Sequence, residues 1–266
     1  MHPILMCRSR GFQRVAGQLE SLIKRIEDDN GEMTVFRDDS VSEYRKFRNY
    51  FEEILYKELF SPKKEVRQMS EDYAYLYFIY GNLLFELERY DDARTALMKA
   101  LRVNPISADV IFELAEINKL RGEWDDYLAY VKQCFSVAYN AVHVGRCYRN
   151  LGYYYIEQKE YELAAAIYFK SMQYDKNSTL PQSQLFYIQQ VSGKPIPELS
   201  YDDVQGLLKK NEIPTDASNT ILGIAYSIGK SAAEQGNNDA ARYFFSILYD
   251  LTHDDEVKEM IDKLVP

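Results

Sequence analysis

Cysteine is scarce in this chain, and so is positive charge. The three cysteines among 266 residues, Cys7, Cys134 and Cys147, are odd in number and far apart. A disulfide framework needs an even, patterned set, so these read as reduced thiols of a cytoplasmic protein. Against 41 Asp and Glu stand only 32 Lys and Arg, a net charge of −9. General nucleic-acid binding needs a basic stripe, so nucleic acid is excluded as a partner. Glycine and proline number only 12 and 8, which argues against long linkers and disordered tracts. No apolar run approaches the roughly twenty residues of a membrane span. The longest apolar neighbourhood, Tyr73 to Leu87, is interrupted by Gly81, Asn82 and Glu86. At the start, Arg8 and Arg10 follow a short apolar run instead of preceding it, the reverse of a secretory signal. A cytoplasmic protein without membrane contact is expected.

Tyrosine, by contrast, is abundant at 23, and hydrophobic residues make up 46% of the chain, ample for a core. A spacing also recurs. Gly81 is followed by Ala93, Gly152 by Ala164 and Gly229 by Ala241, each twelve residues on, and Ala115 stands twelve before Tyr127. Gly81 to Ala115 is thirty-four residues, a repeat period and not a domain length. Two antiparallel helices that cross closely need small residues at the crossing, with bulky ones around it. Asp91, Asp125, Glu162 and Asp239 share one position in the four copies. That position opens the second helix, where a carboxylate meets unpaired N–H groups and the positive dipole end.

Counted from Ala74, the residues Tyr77, Tyr80, Gly81, Leu84, Tyr90, Ala93, Leu97, Ala100 and Pro105 fall at positions 4, 7, 8, 11, 17, 20, 24, 27 and 32. This resembles the tetratricopeptide repeat pattern, W-x-x-L-G-x-x-Y, then A-x-x-x-F, then P. Copies from Gly145 and from near Leu222 keep Gly152, Ala164, Gly229 and Ala241. The copy from Ala108 is degraded, with Asn118 and Tyr127 where the pattern has Tyr and Ala. The resemblance implies an all-α fold, a right-handed superhelix of antiparallel helix hairpins, with no sheet. It divides the chain into a divergent N-terminal helical cap over 1–70, three repeats over 71–177, a degenerate helix pair over 178–221, and a fourth repeat with a capping helix over 222–266. Within the first part, apolar periodicity predicts a helix over 12–27, stopped by Asp28-Asp29-Asn30-Gly31, and a second from Ser40 or Ser42 to Phe60, broken by Ser61-Pro62. Ser200 with Asp203 reads as an N-terminal cap.

The resemblance also implies a concave groove lined by the first helix of each unit. Its inward positions carry Tyr75, Phe78 and Asn82, then Phe112 and Glu116, then Arg146, Arg149, Asn150 and Tyr153. Aromatic anchors mixed with amides and guanidinium groups suit a segment of another protein or peptide. The carboxylate-holding set of chaperone-binding members is not reproduced, and Glu113 would repel a carboxylate there. The function expected is a non-catalytic protein-interaction scaffold, with self-association left open. A peptide-responsive regulatory sensor is the alternative, and an enzyme the third. The adjacent acids are explained by helix starts, and no phosphate-binding or dinucleotide glycine motif is present, so no catalytic residue and no cofactor is expected. His143 and Cys147 share a helix face, but nothing nearby in the sequence completes a four-ligand site, so no metal is expected.

Overall fold

The structure, a computed structural model, describes residues 3–30, 36 and 38–264. Thirteen helices and two short strands lie among them. The described residues are mainly helical, built from antiparallel helix hairpins, and divide into a compact unit up to Glu123 and another from Trp124.

The first unit opens with α1 (Pro3–Asn30), which starts earlier than the periodicity indicates. It ends within the expected stop, whose Gly31 lies outside the described residues. The next segment corrects the sequence reading. The expected helix from Ser40 or Ser42 is instead β1 (Ser42–Arg45), then α2 (Tyr50–Phe60), then β2 (Glu65–Gln68), with the two strands paired in parallel where no sheet was expected. A parallel pair needs a crossover, and α2 supplies it. The acids before β1 explain why no helix begins there. Asp39 Oδ1 accepts the N–H groups of Val41 and Ser42 at 2.7 Å, and Asp38 Oδ1 accepts that of Tyr44 at 2.9 Å. Asn49 caps α2 instead, its side chain accepting the N–H of Glu52 at 3.0 Å. Glu52 is itself buried and accepts from the Arg48 N–H at 2.8 Å and from Asn104 Nδ2 at 3.0 Å. As expected, α2 stops at Ser61-Pro62, with Ser61 left-handed.

Three helices complete this unit: α3 (Tyr73–Glu86), α4 (Tyr90–Val103) and α5 (Ala108–Arg121). The second unit holds α6 (Trp124–Val137), α7 (Ala141–Glu157), α8 (Tyr161–Tyr174), α9 (Leu180–Ser192), α10 (Tyr201–Lys210), α11 (Asn219–Glu234), α12 (Asn238–Thr252) and α13 (Asp255–Asp262). Tight hairpins pair α3 with α4, α7 with α8 and α11 with α12. At each crossing a glycine meets a large side chain. A Cβ on Gly81 would lie 2.7 Å from Leu97 Cγ, and one on Gly229 would lie 2.7 Å from Phe245 Cδ1. Ala93, Ala115, Ala164 and Ala241 are fully buried. The acids Asp91, Asp125, Glu162 and Asp239 stand in the first turns of α4, α6, α8 and α12.

A backbone regularity ties the copies together. Glu88, Gly122, Lys159 and Gly236 all have left-handed backbone, with φ of 60°, 68°, 63° and 74°, and each falls at the fifteenth position of its unit. Each closes its first helix with the same two backbone hydrogen bonds, as in Lys159 N–H to the Ile156 carbonyl and Glu160 N–H to the Tyr155 carbonyl, both 2.9 Å. The departures of the degraded copy are also compensated. Buried Asn118 accepts from the Arg94 guanidinium, and buried Tyr127 donates its hydroxyl to the Asn150 carbonyl at 2.8 Å.

The expected helix pair in 178–221 forms two helices, but both α9 and α10 have α8 as their main packing partner. The cap of α10 is a full capping box, with Ser200 and Asp203 exchanging hydrogen bonds. Inside α11, Gly223 is exposed, and a Cβ added to it would meet no atom within 4 Å. Glycine there only raises the entropy of the unfolded chain. Gly223→Ala is therefore expected to stabilise by about 0.5–1 kcal/mol, seen as a higher urea midpoint with an unchanged slope.

Candidate functional site

In the first unit the candidate surface begins on α3. Asp72 caps that helix by accepting the Tyr75 N–H at 2.9 Å, which fixes where its two apolar stripes point. Tyr77, Gly81 and Leu84 form the buried stripe. Tyr75 and Phe78, with the polar Asn82, form the other, with Tyr75 56% exposed and the other two half-buried. Asn82 Oδ1 is buried without a hydrogen-bond partner.

The N-terminal helix does not fill this stripe. α1 packs on α3 from the Tyr77–Tyr80 side, leaving a cleft of about 270 Å³ among Glu20, Ile23, Glu27, Tyr80 and Lys99. Glu27 anchors it by accepting from Tyr77 Oη and Lys99 Nζ, both at 2.6 Å. Burial pushes the Glu27 carboxyl up, but those two bonds and the Lys99 charge outweigh it and hold it below its usual value. What does reach the stripe is the link after β1, which the sequence reading missed. Lys46 and Arg48 line a small hollow with Tyr75 and Phe78, and Arg48 pairs with Asp109. No sequence signal marks them, because they fall in a stretch read as helix.

On α5 the reading needs correction. Phe112 is fully buried, not an exposed groove aromatic. The helix is buried on most sides, with Val110, Ile111, Leu114, Ala115 and Ile117 covered as well, and its less covered stripe of Asp109, Glu113 and Glu116 is acidic, so no stripe of it is left as an open aromatic wall. Glu116 is half-buried and paired with Lys119 one turn on.

The second unit presents α7. Arg146 and Tyr153 are half-buried, and the Tyr153 ring lies 6.3 Å from that of Trp124. Arg149 and Asn150 are corrections. Arg149 Nη1 is 2.8 Å from Asp175 Oδ2, and both side chains are almost entirely covered. Its charge is spent inside the protein and is not offered to an acidic ligand. Asn150 is buried, and its Nδ2 has no hydrogen-bond partner. Expected neighbours thus divide: Tyr75, Phe78 and Asn82 share one surface of the first unit, while Phe112, Arg149 and Asn150 serve packing.

Among the described residues no group of three or more His, Cys, Asp and Glu is placed to hold a metal. Cys134 and Cys147 are free and buried, and the side chain of Cys7 lies outside the described residues. No described helix is long and apolar enough to cross a membrane.

A search of curated proteins found no match. Among solved structures, the chain is similar to YrrB, described as a TPR protein with an unusual peptide-binding site, at 13% identity and TM-score 0.36, over 81% of this chain and 98% of that one. It is also similar to a chain of the APC/C hetero-tetramer Cut9-Hcn1, at 14% identity and TM-score 0.42, over 98% of this chain and 48% of that one. Residues 74–107 match the Tetratricopeptide repeat family, over the α3–α4 hairpin whose Gly81 and Ala93 make the close crossing. That match spans one copy of the thirty-four-residue period, the α3–α4 hairpin.

Proposed function

We propose that the protein is a non-catalytic interaction module that receives an extended segment of another protein on the first-helix surface around Tyr75, Phe78 and Asn82. One observation carries this reading: Tyr75 stays 56% exposed beside half-buried Phe78, while α1 packs on the opposite stripe of the same helix. An exposed aromatic at the rim of a hollow is the kind of anchor that dominates binding energy. Asn82 supplies the polar complement. Its amide oxygen is unpaired in the free protein, and an unpaired buried acceptor is costly.

The test is affinity capture from the native host with wild type, Tyr75→Glu and Phe186→Glu. Both substituted residues are exposed, so neither change is expected to move the melting temperature. Truncating a central aromatic anchor costs about 2 kcal/mol or more, roughly thirty-fold in affinity. Tyr75→Glu is expected to lose a protein that wild type and Phe186→Glu retain. Loss by Phe186→Glu alone would move the interface to α9, where Leu180, Phe186, Tyr187 and Val191 are also exposed.

A further inference from the structure

Lys170 stands on α8 in an apolar run, Ala164 to Met172, and is only 2% exposed. Lysine is almost never buried unless it is paired. Its pairing here is loose. The ion-pair partner found for it among the described residues is Asp216, with Oδ1 3.5 Å from the amine and a side chain 63% exposed. That distance is well beyond the ~2.7–2.9 Å of a good charge-assisted hydrogen bond. Two aromatic rings complete the surroundings, with Tyr174 at 5.5 Å and Tyr201 at 5.6 Å from the amine.

The arrangement borders a cleft of about 470 Å³, walled by Tyr174, Tyr201, Asn219, Leu222 and His253 beside Lys170. That volume lies within the range of small-molecule sites, which are mostly apolar with a few polar groups. The link bearing Asp216 is tied at one point by Tyr148, whose hydroxyl donates to the Pro214 carbonyl at 3.0 Å. Tyr148 in turn stacks on Tyr174, at 5.7 Å between ring centroids. Burial lowers the Lys170 amine from its usual value, against the opposing pull of Asp216, and pushes the Tyr174 phenol up to about 12. The Tyr174 wall therefore stays neutral, and Lys170 is the buried amine of the cleft.

We propose that this cleft binds a carboxylate, whose oxygens take the place beside Lys170 Nζ that Asp216 holds in the free protein. A single cation suits a monoanion, whereas a phosphate dianion would bring an uncompensated charge next to Asp216. The aromatic walls fit a flat or aromatic acid. Such a carboxylate comes from a free organic acid or from the C-terminus of a peptide. The site draws on α8, α10, α11, α12 and the 211–218 link and shares no residue with the Tyr75 surface, so its fate is independent of that reading.

Amide chemical-shift titration tests it, with benzoate, acetyl-Gly-Gly-Phe, and the C-terminal amide of that peptide. Saturable shifts are expected around 170–174, 201, 216–222 and 251–253, from benzoate, from the peptide acid or from both. Response to benzoate alone identifies a free acid, and response to the peptide acid identifies a C-terminus. Lys170→Met should abolish the response. Asp216→Asn removes the internal competitor from an exposed position and should tighten binding about two- to five-fold, the competition a loose, exposed ion pair offers. Should Lys170→Met fail to fold, Asp216→Asn still decides. Equal response to the peptide amide overturns the proposal, as does the lack of any saturable shift or unchanged or weaker binding by Asp216→Asn.

Discussion

Phe112→Ala is expected to cost about 3–5 kcal/mol of stability, the usual range for truncating a buried phenylalanine. Phe112 is fully buried in α5, between buried Ile111 and Leu114, and is among the largest fully covered side chains. Removing the ring deletes its transfer energy and leaves a cavity that a helix covered on most sides closes poorly. Since a domain is stable by only about 5–15 kcal/mol, that is a large share of the total. Urea unfolding of the purified variant measures it. Phe112→Leu, which keeps most of the volume, should lose much less. The sequence reading puts Phe112 in a binding groove, where truncation would impair capture and spare the melting temperature. A melt like that of wild type would restore that role and remove the residue from the core.

Gly152→Leu is the second large effect. Gly152 lies where α7 crosses α8, and a Cβ there would stand 2.9, 3.0 and 3.1 Å from three ring carbons of Tyr168. The ring has no easy retreat. Tyr168 is 2% exposed and packs in a cluster with Ile156, Ala164, Ala165, Leu185 and Ile188. Burial pushes its phenol well up, as expected of a group enclosed by apolar walls. Replacing a helical glycine gains about 1 kcal/mol of propensity. Overpacking typically costs ~1–3 kcal/mol and occasionally more, and a branched side chain against an enclosed ring belongs at the upper end. Destabilisation therefore wins, by about 2 kcal/mol or more net. Thermal melting checks it, with Gly223→Ala as the control that carries the propensity gain without the clash. Equal melting of Gly152→Leu and wild type would refute the crossing at Gly152.

The repeat was legible because close crossings tolerate few residue types. Gly81, Gly152 and Gly229, each with an alanine twelve residues on, leave a trace that survives the loss of most other positions. The acids at second-helix starts and the Ser200–Asp203 cap were legible for a similar reason: the interaction is local, and both partners lie within a few residues. The turn geometry was only half legible. Gly122 and Gly236 announce left-handed backbone, while Glu88 and Lys159 adopt it without any sign in their chemistry.

What the sequence by itself determined is the helical class, the period and the helix that carries each small residue, because these follow from contacts between near neighbours and from steric rules with few solutions. Tertiary structure alone decided which side chains remain available. Four-residue strands such as Ser42–Arg45 and Glu65–Gln68 are too short to show a period, and they pair only because α2 returns the chain beside itself. Arg149 looks like a free guanidinium until Asp175, twenty-six residues on, closes over it. Lys170 and Asp216 meet across a link whose path no local pattern specifies. Phe112 and Tyr75 occupy inward positions of the same repeat pattern, yet one is fully buried and the other 56% exposed. Position within a repeat sets the direction of a side chain, but whether anything covers it depends on segments distant in sequence.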